Sequence, residues 1–191
     1  SIAMDPHKWL YSPLEAACAL VRDPAHLVDA FSFKPAYYHF DLGDREGLNY
    51  YEYGIQNSRG FRALKVWLAL KQVGAEACRQ MIRDDIALAR QLYELAHAHP
   101  RLQAVTHGLS ITSFRYVPEG VDPADPTRQE FLNDLNRRLL TALQCGGEAF
   151  LSNAVVEGNY LLRACVVNFR TTCADITDLP EIVVRTARTL E

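Results

Sequence analysis

Residues 4–11 of the chain read MDPHKWLY. A lysine does covalent chemistry when its amine is kept partly neutral or is committed to a Schiff base. Such a lysine needs a rigid mount and a partly desolvated pocket. Asp5 and Pro6 supply rigidity, because proline fixes its own φ and restricts the residue before it. Trp9 and Leu10 supply apolar walls. His7, next to Lys8, is placed to donate a hydrogen bond to an anion such as a phosphate. The tripeptide alone carries little weight, and a surface lysine beside a loop tryptophan is its ordinary reading. The chain has only four lysines (Lys8, Lys34, Lys65 and Lys71) against sixteen arginines.

Other positions have chemical potential. Residues 31–56 hold five tyrosines, three phenylalanines and three glycines with no sustained helical period. Irregular stretches of this length are usually functional or disordered, and the aromatic content argues against disorder. Asn57 or Ser58 can cap a following helix, where free N–H groups and the helix dipole favour an anion near Ser58 and Arg59. Arg163 lies in an otherwise apolar strand, where a charge is costly unless paired. His97 and His99 suit a helix C-terminus, and His26, His39 and His107 have no metal-ligand spacing.

The elements that must position these residues can be read from pattern. Residues 16–21 (AACALV) form a compact apolar run suited to a buried strand. Asp23-Pro24 starts a short helix over 25–30. Phe61, Leu64, Trp67 and Leu68 make an apolar helical stripe, and Gly74 ends or kinks that helix. A second helix over 75–98 turns Cys78, Met81, Ile82, Ile86, Leu92 and Leu95 inward. Strands over 102–105 and 109–117 are joined at His107-Gly108. Asp125-Pro126 opens a helix with Phe131, Leu135, Leu139 and Leu143 inward. Residues 149–156 and 160–169 pair as a hairpin across Glu157-Gly158-Asn159. Thr177 caps a last helix with Leu179, Ile182, Val183 and Ala187 inward. Residues 101–191 thus read β-β-α-β-β-α, a small α+β sheet with helices on one face. Residues 1–75 do not close into a domain by themselves, and 76–100 is a connecting helix.

Composition narrows the function. With 49% apolar and 23% charged residues, the chain can build a core. A net charge of −3 without a basic stripe argues against nucleic acid as a partner. No apolar run suits a bilayer, and residues 1–10 do not read as a signal peptide. The cysteines, Cys18, Cys78, Cys145, Cys165 and Cys173, are scattered. They read as buried free thiols in a reducing cytoplasm, with no metal site.

Four stretches together resemble the group II pyridoxal-phosphate-dependent amino-acid decarboxylases, whose best-known members act on aromatic L-amino acids. SIAMDPHKW is similar to the family's lysine motif, with Lys8 at the cofactor lysine. FSFKPAYY lies where the family has a Pro-x-Tyr in its catalytic loop. IQNSRGFRALKVWLALKQVG is similar to its Arg-rich Leu-Lys-x-Trp helix, and YLLRACVVNFRTT to its C-terminal Leu-Arg strand.

The resemblance implies an α/β chain of the pyridoxal-phosphate fold type I. It would comprise the C-terminal end of the large aminotransferase-like domain (1–75, with the catalytic loop at 31–56) and a small α+β domain with an antiparallel sheet (101–191). It implies pyridoxal 5′-phosphate as cofactor, borne on Lys8 and bordered by His7. Asp5 stands where some members have Asn, so a phosphate contact there would use its backbone. Tyr37 matches the loop tyrosine that returns a proton to the former α-carbon, with Tyr38 as the adjacent alternative. Members with Phe at that place form aldehydes. Ser58 is a cap or a contact to a neighbouring subunit's cofactor phosphate. Arg163 binds the substrate carboxylate or forms a structural ion pair. Arg62 and Arg170 are structural.

The implied reaction is decarboxylation of an L-amino acid to its amine, with an aromatic substrate first and an acidic one such as glutamate as the alternative. A non-catalytic dimerisation fragment is the other reading. The family's pyridine-nitrogen carboxylate, stacking ring and most of its phosphate cup lie upstream of the lysine. The chain is therefore expected to be the C-terminal portion of a longer homodimeric cytoplasmic lyase. Alone it should be inactive and should expose apolar surface around 16–21.

Overall fold

The computed structural model describes residues 1–38 and 48–191, which divide into two compact units, 1–74 and 75–191. His39 lies outside the described residues.

In the first unit, β1 (Ile2–Met4) pairs antiparallel with β2 (Cys18–Leu20), Ala3 opposite Ala19. Residues 5–16 form the turn between them. After β2 come α1 (Ala25–Phe31), a 3₁₀ turn at Tyr50–Tyr53, and α2 (Arg62–Val73). Asp23 accepts from the Ala25 N–H at 3.0 Å and starts α1 as expected. Gly74, at φ +81°, ends α2 in a backbone region that favours glycine.

The run at 16–21 gives a strand only over Cys18–Leu20, and it leaves apolar surface open as expected of this chain alone. Ala16 is buried, but Leu20 is 52% exposed, because β2 has a single three-residue partner and no layer above it. The stripe on α2 is equally uncovered: Phe61, Leu64, Trp67 and Leu68 are all exposed, and neither α1 nor α2 buries a residue.

The second unit has a full core. Its antiparallel sheet runs β3-β4-β6-β5, from β3 (Leu102–Gly108), β4 (Ile111–Tyr116), β5 (Ser152–Val156) and β6 (Asn159–Cys165). The helices are α3 (Ala75–Ala98), α4 (Gln129–Gly146) and α5 (Cys173–Arg188). Ala89 and Leu92 of α3, Leu135 and Leu139 of α4, and Val183 and Ala187 of α5 are fully buried in one cluster with Phe114, Tyr116 and Leu162 of the sheet. The β5–β6 turn is Glu157-Gly158, both at positive φ, which matches the twist of a two-residue hairpin.

Several boundaries move. The β3–β4 turn is Leu109-Ser110, with Gly108 still paired to Ile111, because Leu109 itself takes the positive φ. Leu132, fully buried, replaces the exposed Phe131 on the inner face of α4. α5 begins earlier than Thr177. Thr172 and Asp175 form a reciprocal capping box there, and Pro180 is accommodated within the helix. Only Cys78 among the cysteines is buried; Cys145, Cys165 and Cys173 are exposed.

Where β4 and β6 diverge, two asparagines of α4 complete their hydrogen bonding. Asn136 accepts from the Tyr116 N–H at 2.8 Å and donates to the Tyr116 carbonyl at 2.9 Å. Asn133 accepts from the Tyr160 N–H at 2.7 Å and donates to the Gly158 carbonyl at 2.9 Å. On the sheet face away from the core, Arg115 is buried with only neutral partners: Gln103, Gln129, Asn159 and the Pro123 carbonyl. Burial lowers its pKa.

Candidate functional site

Asp5, His7 and Lys8 share one turn. The Lys8 N–H donates to the Asp5 carbonyl at 2.9 Å, and the Ser12 N–H to the Pro6 carbonyl at 3.1 Å. Pro6 is buried at its base. These bonds give the lysine the rigid mount that the Asp-Pro sequence suggests. The Lys8 Nζ pairs with Asp5 Oδ2 at 2.6 Å, with the lysine side chain 67% exposed. The ammonium holds the Asp5 carboxyl below its usual range through that hydrogen bond. An exposed pair of this kind contributes little to stability, so the amine is available to another partner.

His7 is fixed by the returning chain. Its Nδ1 lies 2.7 Å from the Ala16 carbonyl, and the Ala16 N–H lies 3.2 Å from the same nitrogen. The shorter contact requires Nδ1 to carry the proton and leaves Nε2 for a further partner; that tautomer is assigned from the distances. Glu15, beside Ala16, accepts from Arg62 Nε at 2.7 Å, which ties this return segment to the first turn of α2. The guanidinium lowers the Glu15 pKa. Arg62 thus takes the structural role expected of it.

The loop residues are placed differently. Tyr37 is 78% exposed, whereas Tyr38 is half-buried. The Tyr38 hydroxyl accepts from Asn57 Nδ2 at 2.8 Å, and its ring meets Tyr51 edge-on at 5.5 Å. Glu52, which the sequence did not single out, is only 9% exposed. Its Oε1 takes the Lys34 ammonium at 2.8 Å and the Ser32 hydroxyl at 3.4 Å. The Lys34 bond lowers the Glu52 pKa and raises that of Lys34. No local spacing marks Glu52; its partners lie on the far side of the loop.

Ser58 is exposed and stands before α2, whose N-cap is Phe61 without a side-chain cap. The expected capping role is corrected: the helix starts later because residues 57–61 do not enter helical geometry. Arg163 lies in the second unit on the outer face of β6, half-buried, with Nη1 donating to Ser152 Oγ at 3.3 Å. Among the described residues no ion pair engages it. Arg170 lies over the Phe169 ring.

Among the described residues no group of His, Cys, Asp and Glu is arranged to hold a metal ion, and no helix is long and apolar enough to cross a membrane. What the turn offers is an accessible primary amine on a fixed backbone beside an imidazole with one ring nitrogen uncommitted. The amine fits an aldehyde, and the free ring nitrogen accepts a hydrogen bond when the ring is neutral and donates to an anionic substituent only when the ring carries both protons.

The family model described as pyridoxal-dependent decarboxylase conserved domain matches residues 1–117. An aromatic-L-amino-acid decarboxylase from Bacillus atrophaeus is 35% identical over 181 residues, which is 94% of this chain and 37% of that protein. A phenylacetaldehyde synthase from a Rosa hybrid cultivar is 31% identical over 169 residues, 87% of this chain and 33% of its own length. The crystal structure of Oryza sativa TDC with PLP and tryptamine superimposes with a TM-score of 0.84 at 26% identity, covering 98% of this chain and 38% of that one. The chain therefore spans well under half the length of these relatives.

Proposed function

The chain belongs to the pyridoxal-dependent decarboxylase family and shares the α/β fold type I architecture of its structural relatives, and from that premise we propose that it forms part of an enzyme that decarboxylates an aromatic L-amino acid to the amine and CO₂. The observation that supports this most is the 5–16 turn, which mounts an accessible Lys8 amine beside a His7 ring fixed through the Ala16 carbonyl. The aromatic preference is supported by relatives named for aromatic substrates, including the Bacillus decarboxylase.

Lys8 and His7 would hold pyridoxal 5′-phosphate, with Asp5 contributing through its backbone and Ser58 approaching the phosphate of a neighbouring subunit. When bound, that group supplies an electron sink for the pair left when CO₂ departs. The residues of this chain do the rest. Lys8 would hold the group through its exposed amine. His7, with Nδ1 engaged by Ala16, donates or accepts at Nε2 only. Arg163, half-buried with Nη1 donating to the Ser152 hydroxyl, is the cation proposed for the substrate carboxylate. Tyr37 transfers its hydroxyl proton to the carbon that has lost CO₂ and is reprotonated from solvent. A proton donor at this point is what separates amine formation from aldehyde formation.

The uncovered apolar residues of the first unit, including Ile2, Leu20 and Trp67, support a further reading. They are covered by the remaining part of a longer polypeptide in a homodimer. The five free thiols suit a cytoplasmic location.

The test is covalent. The full-length protein is incubated with pyridoxal phosphate, reduced with borohydride and mapped by peptide mass. The modification is expected on Lys8, and label on any other lysine overturns the assignment.

A further inference from the structure

We propose that Glu52 is a positioning residue for Tyr37, holding the segment that carries the tyrosine in register for proton delivery. The inference rests on the reading of Tyr37 as proton donor and extends it to a residue that does not touch substrate.

Tyr37 is an exposed residue of a segment anchored on both sides. Before it, Ser32 and Lys34 both donate to Glu52 Oε1, at 3.4 and 2.8 Å. After it, Tyr38 is held by Asn57 at 2.8 Å and by the edge of Tyr51. The Tyr38 N–H closes a turn onto the Pro35 carbonyl at 2.9 Å. All the anchors on the far side belong to residues 51–57, and Glu52 is the buried one. A carboxylate is costly to bury unless it is paired, and among the partners of this one, with Asn49, are the two residues that lead into the Pro35-Ala36-Tyr37 turn. Removing its charge frees Lys34 and weakens the anchor on the side before Tyr37. A proton donor must lie within hydrogen-bond reach of its target, and a displacement of about 1 Å can cost on the order of 100-fold in rate.

The experiment compares wild type, Glu52→Gln, Lys34→Met, the exchange Lys34→Glu with Glu52→Lys, and Tyr37→Phe in the full-length protein. Two quantities are read. One is amine formed per CO₂ released, together with kcat and KM. The other is the ¹⁹F resonance of 3-fluorotyrosine placed at position 37, recorded without cofactor. Glu52→Gln and Lys34→Met are expected to lower kcat for amine formation by about tenfold, to leave KM within about twofold, to reduce amine per CO₂ and to shift the ¹⁹F resonance. The exchange is expected to restore both readouts toward wild type. A general loss of folding would lower yield without changing amine per CO₂. If Glu52→Gln does not fold, Lys34→Met decides, since Lys34 is 65% exposed and its loss leaves no cavity. Wild-type values of both readouts in Glu52→Gln and Lys34→Met overturn the proposal. If Tyr37→Phe leaves amine per CO₂ unchanged, the proton-donor reading fails, and the ¹⁹F shift alone then decides whether Glu52 positions Tyr37.

Discussion

The hydroxyl of Tyr38 is committed to Asn57, whose side-chain amide donates to it at 2.8 Å, while the neighbouring Tyr37 ring stands edge-on to Tyr38 and open to solvent. The two adjacent tyrosines therefore stand in different surroundings. On the proposed reading, Tyr38→Phe removes one anchoring bond and Tyr37→Phe removes the proposed proton donor. With an aromatic substrate, Tyr37→Phe is expected to cut amine per CO₂ by at least about 100-fold, the low end for loss of a positioned acid, with aldehyde in its place and dioxygen as oxidant. Tyr38→Phe is expected to keep amine as its main product. Chromatography of both products against CO₂ release checks this; the reverse pattern would move the role to Tyr38.

Asn136 predicts a stability effect. It supplies both hydrogen bonds that the Tyr116 backbone lacks from the sheet on that side, inside a fully buried environment. Asn136→Leu keeps the volume and leaves a buried N–H and a buried carbonyl unsatisfied. The expected loss is about 2–6 kcal/mol, at about 1–3 for each orphaned group. Urea unfolding followed by circular dichroism measures it, and a loss below about 1 kcal/mol would mean that another donor or water takes the amide's place.

The Tyr116 phenol is pushed up from 10.0 to about 12, first by burial and then by its hydrogen bond to Glu191. Its folded pKa exceeds its unfolded one, so the neutral phenol contributes stability that is complete below pH 10 and is lost as pH rises toward about 12. Absorbance at 295 nm, about where phenolate absorbs, should show one tyrosine ionising after the others and together with the loss of structure. Wild type and Tyr116→Phe titrating alike would remove Tyr116 from that step.

The two units should differ in self-sufficiency. A chain of residues 75–191 carries the whole buried cluster and is expected to unfold in one cooperative transition. A chain of residues 1–74 buries few side chains and is expected to bind a hydrophobic dye and lack a sharp melt. Calorimetry of the two pieces decides, and a cooperative melt of the first piece would show that α2 needs no cover.

What could be read from sequence follows the range of the forces involved. α3 and the inner positions of α4 were legible because a helical stripe repeats locally: Leu135, Leu139 and Leu143 fall on it and are buried. The β5–β6 turn was legible from Glu157-Gly158. The β3–β4 turn was misplaced because Gly108 is the obvious turn residue, yet Leu109 adopts the positive φ. The start of α5 lies earlier than Thr177 because Thr172 and Asp175 cap it reciprocally, and a capping box leaves no hydrophobic period to read. At the candidate site, the lysine turn was legible as a compact motif. Glu52 and the Glu15–Arg62 pair were not, since each joins segments far apart in the chain and neither leaves a periodic trace.

The bare stripe on α2 has a kinetic side. During synthesis the second unit can complete its core from its own residues. The first leaves Phe61, Leu64, Trp67 and Leu68 exposed. Open apolar surface of this kind favours aggregation while the chain folds, so substitutions on this stripe are expected to act on yield in the cell.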